Sequence, residues 1–270
     1  MNLFGNSSRL PVVVKNLLII NGLMLLLKIA LGSDAMGRSI LDTWLGLHAI
    51  GSPDFKLWQI VTHMFMHAGP SEGDGWYWHI LANMFAVFMF GPPIERVMGP
   101  KRFINYYLLC GLGAAALQMA VSYNGTREMV QNVEVAGVQA AEVKQMVVAS
   151  HISLDQANAV MSNITAQHPG SGPAVEALFW DYNGVMIGAS GAIFGILIAF
   201  GMFFPNVELF LLFLPIPIKA KYFVAMYGLW ELFSGVHEKA GDNVAHFAHL
   251  GGLIIGFFII IYWRKKGVVS

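Results

Sequence analysis

Apolar residues in this chain come in long blocks, and those blocks constrain the class of fold more than any other feature. They occupy residues 12–31, 79–97, 103–121, 185–204, 223–236 and 244–263. A helix that crosses the ~30 Å hydrocarbon core of a bilayer needs roughly 17–25 mostly apolar residues. All the blocks but 223–236 approach or reach that length, and that one lengthens if it begins near Ile218. Hydrophobic residues are 56% of the 270 and charged residues only 12%, against about 45–50% and about 25% in an ordinary soluble domain. Polar residues are too few to cover such blocks in water. The expected fold is therefore all-α: one polytopic membrane domain over residues 1–270, a bundle of six transmembrane helices. The first block is too long for a removable signal peptide and lacks a small-residue cleavage pattern at its end.

Charge sets the expected topology. Arg9 and Lys15 flank the first block, Arg96, Lys101 and Arg102 lie between the second and third, Lys219 and Lys221 precede the fifth, and Arg264, Lys265 and Lys266 follow the sixth. With six spans these regions all fall on the side of the termini, which the positive-inside rule assigns to the cytoplasm. The expectation is a multi-pass protein of the cell inner (cytoplasmic) membrane with both termini cytoplasmic. The connections 32–78, 122–182 and 235–243 then lie outside. Net charge is zero, which gives no sign of a nucleic-acid partner. The single cysteine, Cys110, lies inside the third block, so an intramolecular disulfide is excluded.

Connection 122–182 is too long for a turn and too polar to span. Apolar residues recur in it at helical intervals (Val143, Met146, Val147, then Ala157, Val160, Met161, Ile164) until "QHPGSGP" interrupts them. It reads as an extracytoplasmic, mainly helical insertion, a solvated cap rather than a partner-docking module. The 32–78 connection carries Trp-bearing apolar segments around 44–50 and 55–65. These are too short to span and are expected near the outer interface, where Trp is favoured.

Polar side chains within apolar blocks are costly and need a reason. His79 and Asn83 in "HILAN" are four residues apart on one helical face, Ser190 sits among glycines in "MIGASGAIFG", and His246 and His249 open "HFAHLGGLIIG". The second, fourth and sixth spans run in the same direction, so these groups share one end of the bundle and similar depth. Gly188, Gly191 and Gly195 facing Gly252 and Gly256 would let two helices pack closely. Close packing could bring a serine hydroxyl, a weak nucleophile until a base takes its proton, to an imidazole. Asn83, His79 and the Ser190 backbone N–H could hold the oxyanion of an acyl-transfer intermediate. Spacing alone does not choose between His246 and His249. Taken singly, "GASG" ordinarily packs helices, and Glu231 and Glu95 most simply cap or bridge them. No orienting carboxylate is evident, so the constellation reads as a Ser–His dyad.

Taken together, these motifs resemble those of the rhomboid intramembrane serine proteases. "GASGAIFG" resembles the family's nucleophile motif, "AHLGGLIIG" its histidine segment, "HILANM" and "FGPPIERVMGPKRF" its second span and adjoining turn, and "WQIVTHMFMHAG" the approach to that span. The resemblance implies Ser190 as nucleophile, His249 as base because the Leu-Gly-Gly run follows it, His79 and Asn83 as the oxyanion-stabilising pair, and Gly188 as the glycine two before the serine. It further implies cleavage of transmembrane protein substrates near their outer ends, within the lipid bilayer and without a cofactor. Three features depart from the family pattern. Phe194 stands where some members have a tyrosine that stacks on the histidine; "AGPSEGDGWYW" lengthens one connection; and the 122–182 insertion exceeds the family minimum.

Two other readings remain to be weighed. His63, His67, His79, His246 and His249 could build a nitrogen-rich metal site, but no HExxH is present and no carboxylate is expected to accompany the histidines. A non-catalytic rhomboid-like binder of transmembrane helices would typically lack the serine or the histidine, and this chain keeps both.

Overall fold

The computed structural model describes residues 9–34, 36–211, 214–237 and 245–269. The described chain is mostly helical: α1 Val12–Leu31, α2 Ile40–Leu45, α3 Gln59–Thr62, α4 Tyr77–Met98, α5 Pro100–Val135, α6 Ala140–Ser150, α7 Leu154–Gln167, α8 Gly172–Asn183, α9 Ser190–Phe203, α10 Ala220–Val236 and α11 His246–Lys265. Short strands β1 (Leu47–His48) and β2 (Val185–Met186) pair antiparallel, as do β3 (Glu208–Leu211) and β4 (Leu214–Lys219). The residues divide into two compact units. One takes in 1–23, 78–118 and 188–270, the other 24–77 and 119–187.

Among the described residues, four helices are long and apolar enough to cross a membrane: α1, α4, α5 and α11. Large apolar side chains on them stand exposed, among them Leu23, Leu26, Phe85 and Phe258, which suits a lipid surround and not water. The helix α9 has 14 residues and α10 has 17. At 1.5 Å per residue they are about 21 and 25 Å long, below the thickness of the hydrocarbon core. The fourth expected block thus differs from its reading. Residues 185–186 form a strand, and the helix begins only at Ser190. The third block ends late rather than early, because α5 continues through residue 122 to Val135. The β3–β4 ribbon was not foreseen. Its sequence "LPIPIK" is apolar, and a two-stranded ribbon leaves edge positions where Pro215 and Pro217, lacking N–H groups, are tolerated. Most of connection 235–243, including Glu238 and Asp242, and Val244 at the start of the sixth block lie outside the described residues.

In the first unit, local chemistry sets the helix ends. Gly99 adopts φ +76° just after α4, and Pro100 opens α5; the first is a left-handed stop that glycine tolerates, the second needs no N–H at the first helical position. The buried Glu95 accepts hydrogen bonds from the N–H groups of Val13 and Val14 at 3.0 and 2.8 Å, capping α1. Helix α9 is buried around nearly its whole girth, from Gly191 to Leu197 and from Ala199 to Gly201. It is apolar on every side because it has neighbours on every side. Phe200 meets Phe90 of α4, Tyr106 of α5 donates to the Gly195 carbonyl at 2.6 Å, and Phe194 meets Tyr227 of α10.

The second unit has a core of its own, where Val133 and Val138 join Val143 and Val147 of α6, Ile164 of α7 and Leu178 and Tyr182 of α8. Ser153 caps α7 by accepting from the Asp155 N–H. Polar ties fasten this core to the 32–78 connection: Ser52 donates to the Tyr182 carbonyl at 2.7 Å, and a His151 ring nitrogen lies 2.9 Å from Asp54. Buried Lys28 is held by Asp42 at 2.5 Å, Glu72 at 2.8 Å and the His67 carbonyl at 2.8 Å. A buried ammonium needs such partners. They hold the segment that lengthens the connection before α4.

Candidate active site

The residues singled out for acyl transfer, Ser190, His249, His79 and Asn83 with Gly188, His246 and Phe194, fall in the first unit. Gly188 has φ +125°, a conformation that L side chains rarely adopt. A Cβ there would also lie 2.8 Å from Nε2 of His79 and 3.8 Å from Oγ of Ser190. The glycine thus lets the chain turn sharply into α9 with the His79 imidazole close above it. Ser190 is the first residue of α9, where backbone N–H groups lack intrahelical acceptors and the helix dipole presents its positive end.

His249 is brought to the serine from α11 by close packing. A Cβ on Gly252 would run into the Gly191 carbonyl oxygen, and one on Gly256 would lie 3.1 Å from the Gly195 Cα. On its other flank a Cβ on Gly191 would run into Ala114, and one on Gly195 into Cys110 of α5. With backbones this near, Nε2 of His249 reaches Oγ of Ser190 at 2.8 Å. Phe194, one turn after the serine, stacks on the His249 ring with centroids 4.4 Å apart and planes 11° apart. The Tyr227 ring lies tilted against Phe194 at 4.8 Å.

On the far side of the imidazole is a residue that the sequence reading assigned to capping or bridging. Glu231 of α10 is 3% exposed. Its Oε2 lies 2.6 Å from Nδ1 of His246 and 3.0 Å from Nδ1 of His249. The expectation that no carboxylate accompanies the histidines is therefore corrected. The signal for it was a lone acid inside an apolar block. Nothing local pairs that acid with histidines 15 and 18 residues further on. His246, left open by spacing, is placed on the carboxylate and not on the serine.

His79 and Asn83 share a face of α4, and Asn83 Nδ2 donates to the His79 carbonyl at 2.7 Å. The Asn83 carbonyl oxygen is buried without a hydrogen-bond partner among the described residues, a position that costs free energy unless something fills it. Of the five histidines considered for a metal, His63 and His67 belong to the second unit. Donor atoms of Glu231, His246 and His249 lie within 4.8 Å of one another. Ligands of a tetrahedral zinc lie about 3.3 Å apart, whereas the two contacts to Glu231 are 2.6 and 3.0 Å. Those are the separations of hydrogen-bonded and ion-paired groups.

Chemically, the arrangement joins a hydroxyl at a helix N-terminus, an imidazole in hydrogen-bond contact with it, and a second imidazole beside the turn that precedes it. The comparisons with known proteins bear on what such a group does. "Putative rhomboid protease YdcA" of Bacillus subtilis (strain 168) is 31% identical over 71 residues, a stretch covering 26% of this chain and 32% of that protein. The chain thus spans about a third of the length of that relative. The model of the Rhomboid domain matches residues 54–266. With most of its length matched, the chain belongs to the rhomboid family, a membrane-embedded family made up generally of serine intramembrane proteases.

Proposed function

We propose that this protein is an intramembrane serine endopeptidase that cleaves transmembrane protein substrates in the outer part of the bilayer. The observation that carries the reading is the 2.8 Å contact between Ser190 Oγ and His249 Nε2. A hydroxyl so placed can pass its proton to the imidazole as it attacks a carbonyl carbon. In the proposed reaction Ser190 Oγ bonds to the scissile carbonyl carbon while His249 Nε2 takes the hydroxyl proton. The Ser190 N–H, the His79 imidazole and the free N–H of the Asn83 amide hold the developing oxyanion. As the peptide bond breaks, His249 returns the proton to the leaving amine, and a water activated the same way releases the acyl group from Ser190.

The architecture that goes with this reading is six spans, with the short α9 and α10 completing the four longer ones. Both termini are cytoplasmic and the helices of 122–182 extracytoplasmic, in a cell inner membrane. Surrounded by neighbours, α9 has no need to reach across the bilayer alone. A metal centre is disfavoured by the short separations around Glu231, and a non-catalytic binder by the retained serine and histidine. Neither is favoured by the family match.

The test is cleavage of a single-span reporter by purified protein in detergent or vesicles. Ser190→Ala and His249→Ala are each expected to reduce kcat by ~10³-fold or more, and a fluorophosphonate should label Ser190. Cleavage that survives Ser190→Ala, or a label on another residue, would sink the reading.

A further inference from the structure

The geometry points to Glu231 as a positioning residue for His249, which makes the site a Ser–His–Glu array in place of a two-residue one. The inference rests on the reading of Ser190 and His249 above and adds a member to it. Glu231 comes from α10, a helix that contributes neither of those residues, and it is buried at 3% exposure. A carboxylate in the interior of a membrane bundle is expensive unless it is paired. A single partner would meet that need, and His246 supplies one at 2.6 Å. Yet the same oxygen also stands 3.0 Å from His249 Nδ1, the ring nitrogen opposite the one that touches Ser190.

That placement has a chemical consequence. Imidazole can accept the serine proton at Nε2 only in the tautomer that carries its own proton on Nδ1. An acceptor at Nδ1 favours that tautomer, fixes the ring about its axis and stabilises the imidazolium formed when the serine gives up its proton. Phe194 fixes the plane of the ring by stacking but has no polar atom with which to select a tautomer. His246 in turn fixes the carboxylate. Because Oε2 is drawn toward His246, its contact with His249 is at ion-pair distance and off the alignment of a full hydrogen bond.

The experiment compares wild type, Ser190→Ala, Glu231→Gln and Glu231→Asp on the transmembrane reporter, with rates normalised to folded protein from gel filtration and thermal unfolding. Glu231→Gln keeps the size of the side chain and removes its charge. Its kcat is expected to fall about 10²-fold with KM within about twofold, and fluorophosphonate labelling of Ser190 to slow in parallel. Glu231→Asp keeps the charge but withdraws it by one methylene, and is expected about three- to tenfold below wild type. Wild-type kcat per folded molecule in Glu231→Gln would show a helix bridge and nothing more, and overturns the inference. If Glu231→Gln yields no folded protein, Glu231→Asp carries the test. A reduced kcat at unchanged KM supports the inference, and a wild-type kcat overturns it. Activity in Ser190→Ala overturns the underlying reading instead, while an inactive Ser190→Ala beside a full-rate Glu231→Gln overturns only the role of Glu231.

Discussion

Single residues in this chain divide by whether their chemistry is local. Ser190, His79 and Asn83 announce themselves, since each is a polar group in an apolar block with a recognisable spacing around it. Gly188 does so as well once its φ of +125° is known to demand a residue without Cβ. Glu231 is the counter-example: an acid in a helix reads as a cap until the fold sets it against two imidazoles. His63 is another group whose behaviour depends on burial. At 2% exposure its Nδ1 lies 2.8 Å from the Gln59 carbonyl, and burial holds its pKa down at about 4, against an ordinary 6.5, in spite of hydrogen bonds that raise it. The folded pKa is the lower one, so the unfolded chain binds more protons between the two values. The stability His63 contributes is complete above pH 6.5 and lost as pH falls toward 4. Thermal unfolding should therefore show about 2 kcal/mol lost between pH 7 and 5 from this group. His63→Gln should flatten that slope, and an unchanged slope would assign it to other groups.

At the scale of elements, the pair α9 and α11 carries the site, and the glycines between them are unequal to glycines elsewhere. Gly22 in α1 has open space where a Cβ would stand, whereas a Cβ on Gly252 would collide with the Gly191 carbonyl oxygen. Backbone cannot rotate out of the way as a side chain can. Gly22→Ala is expected to stabilise the protein by about 0.5–1 kcal/mol through helix propensity alone. Gly252→Ala is expected to cost about 3 kcal/mol or more and, by separating the helices, to remove reporter cleavage as well. Thermal unfolding and activity of the two variants side by side check this, and equal effects would mean the helices are not in contact there. In sequence both are small residues in apolar blocks. Length misled in the same way, since α9 looked like a span of 20 residues and is a helix of 14 opening on a turn that serves the serine.

At the scale of the whole molecule, topology is the testable property. Cys110 is fully buried and is the single cysteine, so reporters introduced at exposed sites label without background. In intact spheroplasts a membrane-impermeant maleimide should react with Asp155→Cys, in the insertion. With Lys101→Cys, beside the start of α5, it should react only after permeabilisation. The reverse pattern would invert the assignment of both termini to the cytoplasm.

The membrane class, the positions of the four long helices and the identities of Ser190, His249, His79 and Asn83 as candidates were all legible in the chain itself. Each depends on information carried by neighbours in sequence: run length, charge at run ends, a polar residue four from another. What tertiary structure decided was contact. It put His249 and not His246 against Ser190, brought Glu231 of α10 to both histidines, laid Phe194 flat on the imidazole, and ended α9 short while extending α5. The physical reason is that a hydrogen bond or a ring stack acts over about 3–5 Å between groups many residues apart. Only the packing of helices, here through backbones brought together at glycines, sets which groups come that close.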